Sequence, residues 1–446
     1  MPIKSILNFF EETHMKNKLI ATAVAAVFLA APLYAVAGET ELLAHIEEMA
    51  AELKQLKAEL KANQRKTDSI EQRQQAIAQV PTVAAPVSAA PALSSGASTI
   101  ITGYGELNYN RPTKNASAAQ TDVRRAVIGI QHRFDDKTKL VSEFEWEHAI
   151  ASATDAGESA IEQLYLERQF ENGLRAKAGL FLIPAGLLNT AHEPTAYYGV
   201  ERNFVETAII PSTWREVGIG LSGDLANGLA WDAGLTTGFD ITKWNAAETE
   251  GRESPLGSIH QEGQLAKSRN LSAHAALNWR GVPGLLIGGS VFSGNAGHKT
   301  ADFAAPDARL TVYDLHGRYT PGHWDLSAVY ARGEIRNVDA LNLTFIGEPT
   351  PVPTSFAGWY AQAAYQLFKS GDYVFSPFAR YEQFNTARRY SNVPAGLGVP
   401  AGADEKVYTV GANLRVGEGV VLKADYQKFG EDKTRDRLNL GVGFSY

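Results

Sequence analysis

The 446 residues contain no cysteine, which excludes a disulfide framework and any thiolate chemistry and suits an oxidising compartment. After residue 40 there is no run of eighteen apolar residues, so a helical membrane protein is excluded. A basic excess is lacking as well. Lys and Arg total 42 against 49 Asp and Glu, a formal net charge of −7, which argues against a nucleic-acid or general polyanion binder. Catalytic signatures are equally sparse. No Gly-x-Ser-x-Gly elbow occurs, and Gly288-Gly289-Ser290 lies inside a predicted strand, where small residues permit close packing. His192-Glu193 lacks the second histidine four residues on that a zincin helix needs. No enzyme, metal site or cofactor is predicted.

What is present is alternation. The chain ends in Leu438-Asn439-Leu440-Gly441-Val442-Gly443-Phe444-Ser445-Tyr446, with an apolar side suited to lipid and a small or polar side suited to a wet interior. A hydrophobic content of 44% and a mean hydropathy of −0.19 match a membrane barrel with a polar lumen. From Ile100 onward, alternating segments are separated in turn by tight and long breaks. The tight ones are Phe134-Asp135-Asp136-Lys137, Glu171-Asn172-Gly173, 224–228, Gly281-Val282-Pro283, Pro321-Gly322, 369–372 and Gly417-Glu418-Gly419. The long ones fall near 111–120, 150–158, 184–212, 240–268, 294–309, 334–355 and 385–404, with a short one near 430–435. The spacing predicts an all-β membrane barrel of about sixteen antiparallel strands over 99–446, both ends on the tight-turn side.

The N-terminal segments read differently. Met15, the expected start, opens a basic, then apolar, then small-residue pattern that ends at Ala35-Val36-Ala37, so 1–37 is read as a secretory signal peptide. Over 38–80, Leu42, Ile46, Met49, Leu53, Leu56 and Leu60 recur at heptad spacing. This predicts a short periplasmic coiled-coil helix in preference to a lone amphipathic one. Residues 81–98 form an Ala/Pro-rich linker.

Strand parity assigns faces. Phe144 and Trp146 take the lipid side and Glu143, Glu145 and Glu147 the lumen. Leu174, Ala176, Ala178, Leu180 and Leu182 form a lipid stripe that leaves Arg175 and Lys177 inward. Tyr165, Glu167, Asp314, His316, Arg318, Arg380, Glu382, Lys423 and Asp425 also point inward. Tyr104, Trp214, Trp231, Trp279, Trp324, Trp359 and Tyr446 are expected in the interfacial aromatic girdles, and Tyr165 and Tyr360 are the aromatics suited to an inward sugar slide. The long break 184–212 is the expected constriction loop. It carries His192, Glu193, Glu201, Arg202 and Glu206, and Arg215 follows it. These charges either meet solute or pair with wall residues such as Arg175 and Arg215.

Gly179-Leu180-Phe181-Leu182-Ile183-Pro184-Ala185-Gly186, His192-Glu193-Pro194, Tyr198-Gly199-Val200-Glu201-Arg202 and 210–216, together with Thr102-Gly103-Tyr104-Gly105-Glu106-Leu107 and Val123-Arg124-Arg125-Ala126, resemble the phosphate-selective porin O and P family. The resemblance implies a trimer of sixteen-stranded barrels in the bacterial outer membrane, with an arginine ladder guiding anions to lysines at a constriction. Arg124 and Arg125 match the family's paired arginines. The lysine following the fifth strand falls on Asn189 and the first-strand arginine near Gly105 or Glu106, so the ladder is incomplete.

The expected function is passive diffusion of small hydrophilic solutes or inorganic anions through the outer membrane. Selectivity is assigned to Arg124, Arg125, Glu143, Glu145, Glu167, Arg175, Lys177 and Arg318, with lipid, a homotrimer and the peptidoglycan layer as partners. Two other classes remain open: an envelope tether built on a plugged barrel, and a barrel hydrolase.

Overall fold

A computed structural model of the chain describes residues 97–152, 154–391 and 401–446. The expected signal peptide, the coiled coil and residues 81–96 of the linker lie outside the described residues. The strands are β1 (Ser98–Pro112), β2 (Gln120–Arg133), β3 (Thr138–Glu147), β4 (Ser159–Gln169), β5 (Arg175–Leu182), β6 (Arg215–Asp224), β7 (Leu229–Thr236), β8 (Ser272–Trp279), β9 (Leu285–Asn295), β10 (Arg309–Tyr319), β11 (Trp324–Arg336), β12 (Ser355–Tyr365), β13 (Phe368–Ser370), β14 (Tyr373–Arg389), β15 (Glu405–Val416), β16 (Val420–Phe429) and β17 (Arg437–Ser445). The three-residue β13 continues β12, because both pair with β14. The result is a closed antiparallel barrel of sixteen staves in which each pairs with its sequence neighbours and β17 returns to β1. Closure leaves no unpaired edge in the hydrocarbon, the condition for strands to cross a membrane.

The seam shows why the chain ends as it does. Backbone bonds run both ways between Gly103 and Tyr446, at 3.0 and 2.9 Å, and a Cβ on Gly103 would stand 2.6 Å from the Tyr446 hydroxyl oxygen. Leu438, Leu440, Val442 and Tyr446 face outward while Asn439 is fully buried on the inner side. The same outward stripe continues around the wall through Ile128, Ile130, Leu164, Leu166, Ile219, Leu221, Leu315 and Val410.

Inside, one side of the lumen holds an apolar core. Ile183, Val205, Ile209, Ile210 and Trp214 of the third long loop (183–214), Phe239, Ile241, Trp244, Leu256 and Ile259 of the fourth (237–271), and Val338, Leu341 and Val352 of the sixth (337–354) pack on Phe181, Phe292, Val312, Val329, Phe356 and Phe384 of the wall. Burying these side chains fixes the loops within the barrel, each large one contributing about 1.5–3 kcal/mol.

Three assignments made from the sequence are corrected. Trp214 is 2% exposed within this core and Tyr104 is buried with its hydroxyl donated to Glu162, so neither belongs to a girdle, whereas Trp324, Trp359 and Tyr446 are exposed. Leu182, expected on the lipid stripe, is buried. The fourth loop overlies the wall beside it, with Gly263 against the outward side chains of Leu180 and Val217.

Candidate functional site

The third loop leaves β5, crosses the lumen and is pinned to the opposite wall. Tyr197 donates its hydroxyl to Glu106 at 2.6 Å, and Asn110 donates to Glu201 at 2.8 Å, both on β1. The Val200 amide donates to Asp425 of β16 and the Phe204 amide to Glu382 of β14, each at 2.6 Å. Pro194 lies so close to β17 that a Cβ on Gly443 would be 2.5 Å from it. Glu206 staples the loop, accepting from the Leu187 and Leu188 amides and Asn203 within it and from Tyr360 of β12 on the wall. Asn189 clamps the neck. Its amide donates to the carbonyls of Ile183 (2.7 Å) and Trp214 (2.9 Å) and its oxygen accepts from the Trp214 amide. The position expected to carry a lysine rung is therefore a buried structural clamp.

The crossing loop has a chamber on either side, and a larger cavity of about 940 Å³ lies among the long loops, lined by Phe204, Thr207, Arg252, Phe384 and Arg435. The chamber toward the long loops, about 350 Å³, is lined by Arg124, Arg125, Arg202, Arg215 and Arg437 and by Glu106, Glu145, Glu147, Glu158, Glu201 and Glu262. Five guanidiniums thus face six carboxylates, and the chamber has no cationic surplus. Arg124 and Arg125 both reach it because of a bulge. Glu106 pairs with Arg125 and Leu107 with Val123, so Arg124 is an extra residue and two successive side chains turn inward. Arg125 is fully engaged, with Glu106 at 2.8 Å, Glu145 at 3.2 Å and Glu147 at 3.4 Å. Arg124 contacts His148 at 3.2 Å. The chamber toward the tight turns, about 250 Å³, is lined by Arg280, Arg318, Arg380, His316 and Asp325 together with Tyr360 and loop residues. Tyr197 borders both chambers.

The remaining wall residues singled out in the sequence also have partners. Lys139 pairs with Glu167 at 3.1 Å, Arg175 with Asp224 at 2.9 Å, and Lys177 with Asp232 at 2.9 Å, while Arg318 makes a two-point bond to Asp325. Arg175 and Asp224 meet at the tight-turn end of the wall, remote from the third loop's ties. Glu143 accepts from Gln163 at 2.5 Å. On the loop, Arg202 is buried, donating to the His192 carbonyl (2.9 Å), Thr213 and Ser212. His192 is buried and Glu193 half-buried. Tyr360, suited by sequence to a sugar slide, is spent on Glu206.

Arg215 ties the fourth loop, reaching Glu262 at 3.1 Å, which also meets His260 at 2.9 Å. Burial opposes ionisation of Glu262, but the His260 hydrogen bond and the Arg215 charge outweigh it and hold its carboxyl below the usual range. A depressed carboxylate stabilises above its unfolded pKa and loses that contribution as pH falls through the folded value. Acidification below about pH 4 is therefore expected to loosen this loop, read as a loss of amide protection over 260–268, after correction for the intrinsic pH dependence of exchange, with protection of the strands unchanged. Equal protection factors at pH 3 and pH 7 would refute the tie.

Sequence reasoning singles out neither Tyr197 nor Glu162. Tyr197 had no charge to mark it. Glu162 is hidden by a second bulge, where the β3–β4 register shifts.

A model of the phosphate-selective porin O and P family matches residues 99–437. The chain belongs to that family. The porin is similar to an uncharacterised protein of Aquifex aeolicus (strain VF5), 28% identical over 339 residues, covering 73% of this chain and 74% of the relative. Among solved structures, the porin resembles Salmonella typhi OmpF in complex with daunomycin (TM-score 0.54, 14% identity, 78% of this chain and 97% of that one). It also resembles the outer membrane channel DcaP of Acinetobacter baumannii (TM-score 0.50, 11% identity, 79% and 98%). At these identities the likeness is one of fold. Family and fold together make the protein an outer-membrane channel.

Proposed function

We propose that this porin passes small hydrophilic solutes with weak charge selectivity and is not a phosphate-selective channel. The observation that carries the reading is the charge of the crossing loop: residues 183–214 include no lysine, one arginine that is buried, and three glutamates. Ion selectivity in pores follows rings of charged side chains, and the loop-end chamber is lined by five guanidiniums and six carboxylates. The cations committed to selectivity in the wall, Arg125, Arg175, Lys177 and Arg318, are held in ion pairs, which leaves Arg124 as the side chain best placed to meet an anion. The tight-turn end then faces the periplasm, where the N-terminal segments are expected, and the family resemblance makes a homotrimer the expected assembly.

Single-channel recording in a planar bilayer tests this. Under a potassium chloride gradient the reversal potential is expected near zero or on the cation-selective side, with no block by added phosphate. Strong anion selectivity with phosphate block would overturn it, and absence of conductance would favour the plugged tether. Arg124→Glu is expected to move the reversal potential further toward cations.

A further inference from the structure

Three ligand-bearing side chains that conduction does not require meet where the third loop touches the wall. Glu143 of β3, Glu162 of β4 and His192 of the loop each offer one oxygen or nitrogen, all within 4.8 Å of one another. Glu162 is 0% exposed and His192 4%. The site is the product of a bulge. Glu143 pairs with Gln163 but Phe144 with Ile161, so Glu162 has no opposite number and turns inward beside Gln163, while Ile161 and Leu164 face outward. Bulges commonly re-aim a side chain in this way.

Two carboxylates, Glu162 fully buried and Glu143 half-buried, stand together with no lysine or arginine of the described residues paired to them. Arg125, on the neighbouring β2, is already shared by Glu106, Glu145 and Glu147. Glu162 Oε2 accepts the Tyr104 hydroxyl at 2.8 Å, but Glu162 Oε1, fully buried, has no hydrogen-bond partner among the described residues. Leaving a buried carboxylate oxygen unpaired is costly. The histidine is oriented to supply what is missing. Its Nδ1 lies 3.1 Å from the Asn189 carbonyl, and because that oxygen only accepts, Nδ1 carries a proton, so that in the neutral imidazole Nε2 offers a lone pair. Nε2 faces Glu162 Oε2 at 3.8 Å, beyond hydrogen-bond length, and Tyr104 packs edge-on against the imidazole at 5.5 Å. A ring whose far nitrogen is held by a backbone carbonyl is the usual posture of a metal-ligating histidine.

The geometry points to a divalent transition-metal site of the zinc type, ligated by His192 Nε2 and the carboxylates of Glu143 and Glu162, with water completing the shell. Ligands on one zinc ion stand at most about 4 Å apart, so loading draws the three groups together, and half-buried Glu143 has the freedom to move. A bound ion ties the third loop to β3 and β4 and neutralises two carboxylates. The site holds whether or not the pore is weakly selective, since its donors are fixed by the bulge and by the loop neck.

The test is zinc uptake by full-length protein folded in detergent free of lipopolysaccharide, stripped with a chelator and titrated with zinc chloride. Elemental analysis is expected to give one zinc per chain, with a rise in the temperature of heat-modified gel migration. Cobalt(II) is expected to give visible absorption of low-coordinate type. His192→Ala and the isosteric Glu162→Gln are expected to abolish stoichiometric uptake while still migrating as folded barrels, and Tyr104→Phe to weaken it roughly 10–100-fold as a lost outer-shell contact. No zinc above background in the wild type, or equal uptake in both ligand variants, would overturn the site.

Discussion

Replacing Arg125 by alanine is expected to destabilise the barrel by about 3–5 kcal/mol, the cost of removing one partner from a buried ion pair. The guanidinium is 6% exposed and reaches three carboxylates. Without it, Glu106 keeps the Tyr197 hydroxyl as a donor and Arg202 and Lys423 nearby, but Glu145 loses its hydrogen-bonded cation and is left a buried, unpaired carboxyl. Arg125→Lys retains the charge and loses the planar fork that serves several oxygens at once, so an intermediate loss is expected. The contrasting case is Lys137→Ala. Lys137 and Glu171 meet at 3.3 Å with both side chains largely exposed, and such pairs contribute about 0–1 kcal/mol. Urea unfolding of the three variants in detergent orders them. The Arg125→Ala channel is also expected to turn distinctly cation-selective in the bilayer, because its chamber then holds four guanidiniums against six carboxylates. A loss below about 1 kcal/mol would mean that the cluster exchanges freely with water and does not hold the wall.

How far the sequence reaches is visible in particular residues. Leu438, Leu440 and Val442 declare their face because period-two alternation is a direct consequence of strand geometry, and the tight breaks at 281–283 and 321–322 locate staves for the same reason. The crossing loop is legible from length alone, since thirty-odd residues between β5 and β6 far exceed what a hairpin needs. Parity fails where an extra residue enters a strand. Glu162 is even-numbered in a strand whose inward residues, Tyr165 and Glu167, are odd, and only the pairing of Gln163 with Glu143 and of Ile161 with Phe144 reveals the slip. Trp214 is misplaced for another reason. It resembles a girdle residue by type and by its place at a strand end, yet the loop before it folds inward and carries it into the apolar core. The signs of the lumen charges are legible as well, whereas their pairing is not. Lys177 meets Asp232 from two strands away and Arg215 meets Glu262 from the next loop, contacts set by barrel curvature and loop path.

Tyr197→Ala is expected to raise single-channel conductance severalfold. The side chain is 6% exposed, borders both chambers, and is held across the passage by three contacts. Its hydroxyl donates to Glu106, the Lys423 ammonium sits 3.6 Å from its ring centroid, and the Arg202 guanidinium lies 6.0 Å away. Among the described residues Lys423 Nζ has no hydrogen-bond partner, and the ring face adds to the compensation it has from the Glu106 and Asp425 carboxylates. Truncation therefore opens space between the chambers and exposes a cation to the passage at once, which adds a shift toward anion selectivity to the larger current. Tyr197→Phe separates the two effects. It keeps the ring under Lys423 and removes only the bond to Glu106, at a cost of about 1 kcal/mol, and is expected to leave conductance close to wild type. Wild-type conductance in Tyr197→Ala would place the solute path elsewhere in the lumen, because a side chain that separates the chambers cannot be deleted without widening whatever runs between them.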